Sequence, residues 1–321
     1  MIAKLIGWPR KPHAPNDGSR GARSNMQDQP TIIPREALDF GLHAEIPRYW
    51  FADDPFWTRF FDACSMRFPA GERFFVQCVR DFAGRIDDPE LAQAVKDFVR
   101  QEGQHSMEHA RYNERLAVQG MPVAEVDRRS RKALDTFRKF MPKKLTLALT
   151  AAGEHMTSIT SHCLFERGRD VFADADERVV ALFTWHGAEE IEHKAVALRV
   201  LREAARGGYV LRVGAMGYIS LQFFLHTFFV MQLMFNADGL PYRKQARLWA
   251  RGLNGLFGRG GLYTSMLGHY LAYYRPGFDP WDHGGMVEYQ RWRSVYEETG
   301  DALLACRAVV WPERPPVRAV A

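Results

Sequence analysis

Two four-residue runs constrain this chain more than anything else in it: EGQH at 102–105 and EIEH at 190–193. Each sits in a long stretch without proline, flanked by apolar residues such as RVVALFT and AVALRVL, where a buried helix would normally exclude glutamate and histidine. An α-helix advances about 100° per residue, so positions three and four apart share a face. Glu102, His105 and His109 therefore form one stripe, and His186, Glu190 and His193 form a second with the spacing reversed. A single such pair is a common surface feature. Two of them in apolar helices need something cationic between them.

The pattern of breakers predicts where those helices lie. Asp88 and Pro89 are an N-cap and first-turn pair, opening a helix that runs to Gly120. A shorter helix is expected from near Pro69 to near Gly84, a third from near Pro142 to Gly168, and a fourth capped by Asp174 or Asp176 and ended by Gly207 and Gly208. Alternation typical of strands is missing, so the fold class is all-α. Glu154 is the sole carboxylate between Asp135 and Glu166, and Glu72 the sole one between Asp62 and Asp81. Each thus supplies its own helix with one carboxylate in apolar surroundings, although a glutamate just after Pro69 would also suit a helix N-terminus.

Glu72, Glu102, His105, Glu154, Glu190 and His193 together give four helices, four carboxylates and two imidazoles. That is the donor set by which ferritin-like four-helix bundles hold a dinuclear iron or manganese site. Carboxylates suit hard divalent ions and can bridge two of them, while imidazole favours iron, manganese or zinc over magnesium or calcium. His109 and Glu189 are expected as hydrogen-bonding supports, with Glu189 also an alternative to Glu190 because it lies in the same arc. His155 and His162 are read as packed or solvated.

The segments FPAGERFF, QEGQHSMEHARYN, GEHMT and WHGAEEIEHKAVA, in this order, resemble a bacterial family labelled predicted metal-dependent hydrolases, over roughly residues 40 to 280. They are more distantly similar to the di-iron p-aminobenzoate N-oxygenases, whose last motif matches HGAEEIEH and implies His186 as a seventh ligand. These resemblances imply two metal ions and two chemistries. The leading expectation is a di-iron oxygenase or oxidase using O₂ on a hydrophobic or aromatic substrate. The alternative is hydrolysis by metal-activated water, and a ferroxidase or metal store is a third. No Gly-x-Gly-x-x-Gly pattern or cysteine cluster offers a built-in redox partner, so an oxygenase would need an external electron donor.

The remaining composition sets boundaries. The formal charge of +5 resides in the termini, which leaves the body neutral and gives no nucleic-acid footprint. Four dispersed cysteines fit a reducing, cytoplasmic setting. Residues 1–35 read as a disordered polar leader, 36–208 as the metal-binding bundle, 209–300 as hydrophobic and amphipathic helices packed on the bundle or on membrane, and 301–321 as a tail. Residues 213–235 contain no Asp, Glu, Lys or Arg, long enough to cross a bilayer about 30 Å thick. Gln222, His226 and Gln232 argue for a core helix instead. The basic run at 127–144 is either a solvated face or a docking surface for anionic lipid or a reductase. Pairing into a homodimer is also left open.

Overall fold

The computed structural model describes residues 30–282 and 287–313. Among them the chain is all-helical, with one isolated antiparallel bridge between Phe51 and Ala175 in place of any sheet. The expected leader, as far as residue 29, lies outside the described residues.

Helix α1 (Pro55–Arg80) pairs with α2 (Pro89–Val118), and α4 (Lys143–Val171) pairs with α5 (Glu177–His193). α1 also contacts α4, and α2 contacts α5, so the four close a ring around a shared interior. α3 (Val123–Phe140) carries the basic run and spans the connection between the two pairs. α6 (Val196–Glu203) continues after a short break at Lys194 and Ala195. α7 (Tyr209–Ala237) then packs along α1 and α4, followed by α8 (Tyr242–Phe257), α9 (Leu262–Ser265) and α10 (Leu267–Ala272). α11 (Val287–Thr299) and α12 (Ala302–Val310) close the described chain against α4 and α5.

Local chemistry explains most boundaries. Asp88 caps α2 through Glu90 N, with Pro89 in its first turn, and Asp176 rather than Asp174 caps α5 through Arg178 N. α1 departs from expectation: it starts at Pro55, where Asp54 accepts from Phe56 N and Trp57 N, and Pro69 lies inside it. A proline within a helix leaves the carbonyl four residues earlier without its amide. Here that carbonyl is Ser65 O, and Asn113 Nδ2 of α2 donates to it at 3.0 Å. The interior proline is tolerated because a neighbouring helix supplies the missing donor. Glu72 consequently sits deep in α1, and the alternative role at a helix N-terminus falls away.

Two further boundaries need correction. The segment beginning at 301 is no tail: Asp301 caps Leu303 and Leu304, and α12 buries Ala305, Cys306, Val309 and Val310. A nine-residue apolar helix is too short for periodicity to declare itself. Residues 30–35, assigned to the leader, end in Arg35, which is 4% exposed. α7 is long and apolar enough to cross a membrane by length and composition, yet its inner side is packed on the bundle.

α8 lies so close to α1 that a Cβ on Gly252 would sit 2.3 Å from the Phe56 ring, which is fully buried. Gly252→Ala is expected to cost about 1–3 kcal/mol through overpacking, read as a lower midpoint in chemical denaturation with unchanged slope.

Candidate metal centre

The four-helix ring converges on one buried cluster. Glu72 comes from α1, Glu102 and His105 from α2, Glu154 from α4, and His186, Glu190 and His193 from α5; every one is buried. Six of them fall into two groups, Glu72 with His105 and His186, and Glu102 with Glu190 and His193, each compact enough to hold an ion. Glu190 faces both. Its Oε1 is 2.9 Å from His186 Nε2 and its Oε2 is 3.4 Å from His193 Nε2. Glu102 Oε1 and Glu154 Oε2 lie 3.2 and 3.1 Å from that same His193 nitrogen.

Donor accounting fixes where the histidine lone pairs point. Asn113 Nδ2 is committed to Ser65 O, so Asn113 Oδ1 must receive the Ser65 hydroxyl proton, at 2.9 Å. Ser65 Oγ then accepts from His109 Nδ1–H at 2.8 Å, which leaves His109 Nε2 to accept from His186 Nδ1–H, also at 2.8 Å. His186 Nε2 is therefore a bare lone pair aimed at Glu190 and Glu72. A second chain serves His193. Gln101 Nε2 donates to Glu192 Oε2 (2.8 Å) and Ile33 O (3.2 Å), so Gln101 Oε1 accepts from His193 Nδ1–H (2.9 Å). His193 Nε2 then faces three carboxylates with a lone pair of its own.

Such an array is repulsive unless a cation or protons enter it. Glu72 Oε1, both oxygens of Glu102 and of Glu154, His193 Nε2 and both ring nitrogens of His105 are buried without a hydrogen-bond partner. Native interiors leave only a few such groups per hundred residues, so a set converging on one point needs an explanation. Its composition of carboxylate and imidazole suits divalent iron, manganese or zinc, and the residues present fit two ions. In their absence protons must compensate. Burial pushes the Glu72 and Glu102 carboxyls up, and Glu154 to about 7. Burial also lowers His193, but the facing Glu190 and Glu154 outweigh it and raise the imidazole, while Glu190 is held low by His193 and His186.

Outer residues hold this set in place. Ser106 Oγ donates to Glu72 Oε2 (2.8 Å) and Thr157 Oγ1 to Glu190 Oε2 (2.5 Å). Glu189 lies at the edge of the cluster: its Oε1 accepts from Arg35 (3.0 Å) and Trp185 Nε1 (3.1 Å), and its Oε2, 3.1 Å from His105 Nε2, is likewise without a hydrogen-bond partner. Burial raises the Glu189 carboxyl to about 7 despite Arg35. Arg35 also binds Glu192 at 2.6 Å, and Tyr289 donates to that carboxylate at 2.9 Å. Arg35, Glu192, Gln101, Ser65 and Asn113 had no signal in the sequence, apart from Glu192 being the third glutamate of its run. His155 and His162 lie away from the cluster, against Tyr273 and His269 respectively.

A cavity of about 150 Å³ opens beside the cluster. Glu72, His186 and Glu190 line one side of it, and Phe60, Phe61 and Phe68 are among its apolar walls. Arg67 reaches it too. That guanidinium is bonded to His226 Nδ1, Thr227 Oγ1 and Phe223 O, all uncharged, and burial lowers it to about 10.

Fold and site together define an all-helical protein with a buried, metal-binding constellation of glutamates and histidines. The chain belongs to the family of predicted metal-dependent hydrolases, whose model matches residues 34–284. Neither a curated protein nor a solved structure was found to match it.

Two outcomes follow for the metal-free and metal-bound chain. Asn113→Ala or Gln101→Leu frees one histidine tautomer, and each is expected to weaken divalent-ion binding by about 10- to 100-fold as read by competition titration, Asn113→Ala also lowering the melting temperature because Ser65 O loses its donor. pH provides the other. Below 6.5, burial holds His105 and His109 neutral, so charging them in the unfolded chain favours unfolding. Above 6.5 that effect is spent, while Glu72, Glu102, Glu154, Glu189 and His193 still bind protons that the unfolded chain has lost. Metal-free protein should therefore lose stability as pH rises from 6.5, with Glu154 and Glu189 contributing as far as about 7. Melting temperatures with and without metal should diverge over that range.

Proposed function

We propose that the chain is a metal-dependent hydrolase with a dinuclear centre in a ferritin-like four-helix frame, acting on an apolar substrate lodged beside the metals. The carrying observation is the set of partnerless buried oxygens and nitrogens that converge from α1, α2, α4 and α5; membership of the hydrolase family supports the reaction class. Glu72, His105 and His186 would hold one ion, Glu102, Glu154 and His193 the other, with Glu190 between them. His105 would bind through one ring nitrogen, with Glu189 Oε2 standing 3.1 Å from its Nε2. Two divalent ions held there would supply Lewis acidity, the chemistry that makes water nucleophilic near neutral pH.

The chain's own residues do the rest. Ser106 and Thr157 hold Glu72 and Glu190 in orientation, and the phenylalanine walls exclude bulk water. Arg67, a half-buried cation lining the cavity with uncharged partners, favours a substrate that brings its own negative group.

A second reading rests on the donor set itself. Four carboxylates and three imidazoles on four helices are typical of iron sites that activate O₂, which would make this an oxygenase fed by an external electron donor.

The test is to prepare metal-free protein, add Zn(II), Mn(II) or, anaerobically, Fe(II), and measure metal content and turnover. Two ions per chain are expected, with hydrolysis of esters or amides of apolar acids that also carry a negative group. Rapid O₂ consumption by the iron form, without hydrolysis by any form, would transfer the assignment to the second reading. Glu154→Ala and His193→Ala should lose metal while remaining helical. Wild-type protein that takes up no metal would remove both readings.

A further inference from the structure

α7 has two unlike faces. Inward, Ile219, Gln222 and Phe223 line the cavity beside Glu72 and Glu190, and His226 and Thr227 hold Arg67. Outward, Val210, Gly214, Tyr218, Leu221, Leu225 and Phe229 are exposed and recur at spacings of three and four, so they form one stripe without a charge in it. Leu221 and Leu225 are each 62% exposed. At 1.5 Å per residue the stripe extends about 28 Å. Three neighbours border and widen it. Phe137 of α3 stacks on Tyr218 at 6.1 Å, Phe257 of α8 packs on Phe224 at 5.0 Å, and Tyr270 of α10 donates to Ser220 at 3.2 Å. With them come exposed Phe140, Met141, Phe257, Leu267 and Leu271. Soluble monomers rarely leave a row of large apolar side chains open along one helix.

Charge is distributed to match. From Ala204 to Phe278 the chain has eight Lys or Arg residues and one acidic residue, Asp238, which is already bound by Arg48 and Arg59. Arg243, Lys244 and Arg247 are exposed on α8, and Lys139 and Lys144 are exposed beside the end of α3.

We propose that this face docks the protein on the surface of an anionic lipid bilayer, with α7 lying in the plane of the interface. An apolar stripe bordered by basic residues is the pattern of an interfacial helix. Spanning is disfavoured because the inner face of α7 is packed on α1 and α4 and carries the polar partners of Arg67. A second copy of the chain is the poorer occupant, since a two-fold interface would set the same basic border against itself. α7 then forms the wall between bilayer and cavity, and the substrate class that fits is an amphiphile taken from the lipid phase. The docking claim stands on this surface alone and not on the reaction assigned above.

Vesicle co-sedimentation tests it, using the full metal-loaded chain with phosphatidylcholine vesicles and with vesicles of phosphatidylcholine and phosphatidylglycerol in equal parts. Binding to the mixed vesicles and little to the neutral ones is expected, weakening as salt is added. Leu221→Glu with Leu225→Glu should lower partitioning by about a hundredfold, about tenfold for each leucine withdrawn from the interface. Arg243→Glu with Lys244→Glu should lower it on anionic vesicles alone. Unchanged metal content and melting temperature in both variants keep docking separate from folding and from the metal site. No binding to anionic vesicles, or binding indifferent to the leucine changes, would overturn the proposal. So would a wild-type dimer that the leucine changes convert to monomer without any vesicle binding.

Discussion

The interior of this protein depends on an electrostatic imbalance that its own side chains do not resolve. Glu72, Glu102, Glu154 and Glu190 converge on His105, His186 and His193, and among the described residues no lysine or arginine enters the cluster. Two hydrogen-bond chains then aim the histidine lone pairs at the carboxylates instead of away from them. One begins at an absent proton: Pro69 has no amide, so Ser65 O takes Asn113 Nδ2, and the polarity passes through Ser65 and His109 to His186. The other begins at a charge, as Arg35 fixes Glu192, which orients Gln101, which orients His193. Neither chain would serve a purely structural core, where a protonated imidazole against each carboxylate is the cheaper arrangement. Both suit a site that must be ready for cations.

Much of this could be read from spacing alone, because helical geometry is regular. Glu102 with His105 and Glu190 with His193 had to share faces once their segments were helices, and lone carboxylates in apolar surroundings singled out Glu72 and Glu154. What spacing could not reveal was which residues answer from other parts of the chain. Arg35 lies 154 and 157 positions from the glutamates it binds, and looked like the end of a polar leader. Glu189 and Glu190 share an arc within the resolution of a helical wheel. Only the distances separate Glu189, held at the edge by Arg35 and Trp185, from Glu190, facing both histidine groups. Pro69 misled for a related reason. A proline announces a helix start when nothing compensates it, and its compensation, Asn113, belongs to another helix.

The two readings of residues 213–235 correspond to two sides of one helix. A segment without charge was open to two readings, core helix or membrane helix, because composition averages over faces. α7 separates them by side. The polar residues that argued against a membrane, Gln222 and His226, turn inward towards the cavity and Arg67, with Gln232 engaging Gln245 and Trp249 of α8. Between Gly214 and Phe229 the residues facing out carry no charge, and Leu221, Leu225 and Phe229 among them are large and apolar. A helix selected only for core packing would have no reason to keep Leu221 and Leu225 apolar where solvent reaches them. One selected to span a bilayer would not place the partners of a half-buried guanidinium on its other side. The two requirements meet in a wall that must be greasy outside and polar inside, with the metal-binding cluster one side-chain layer behind it. Such a wall would be needed where substrates arrive dissolved in lipid and must meet a site from which water is kept out.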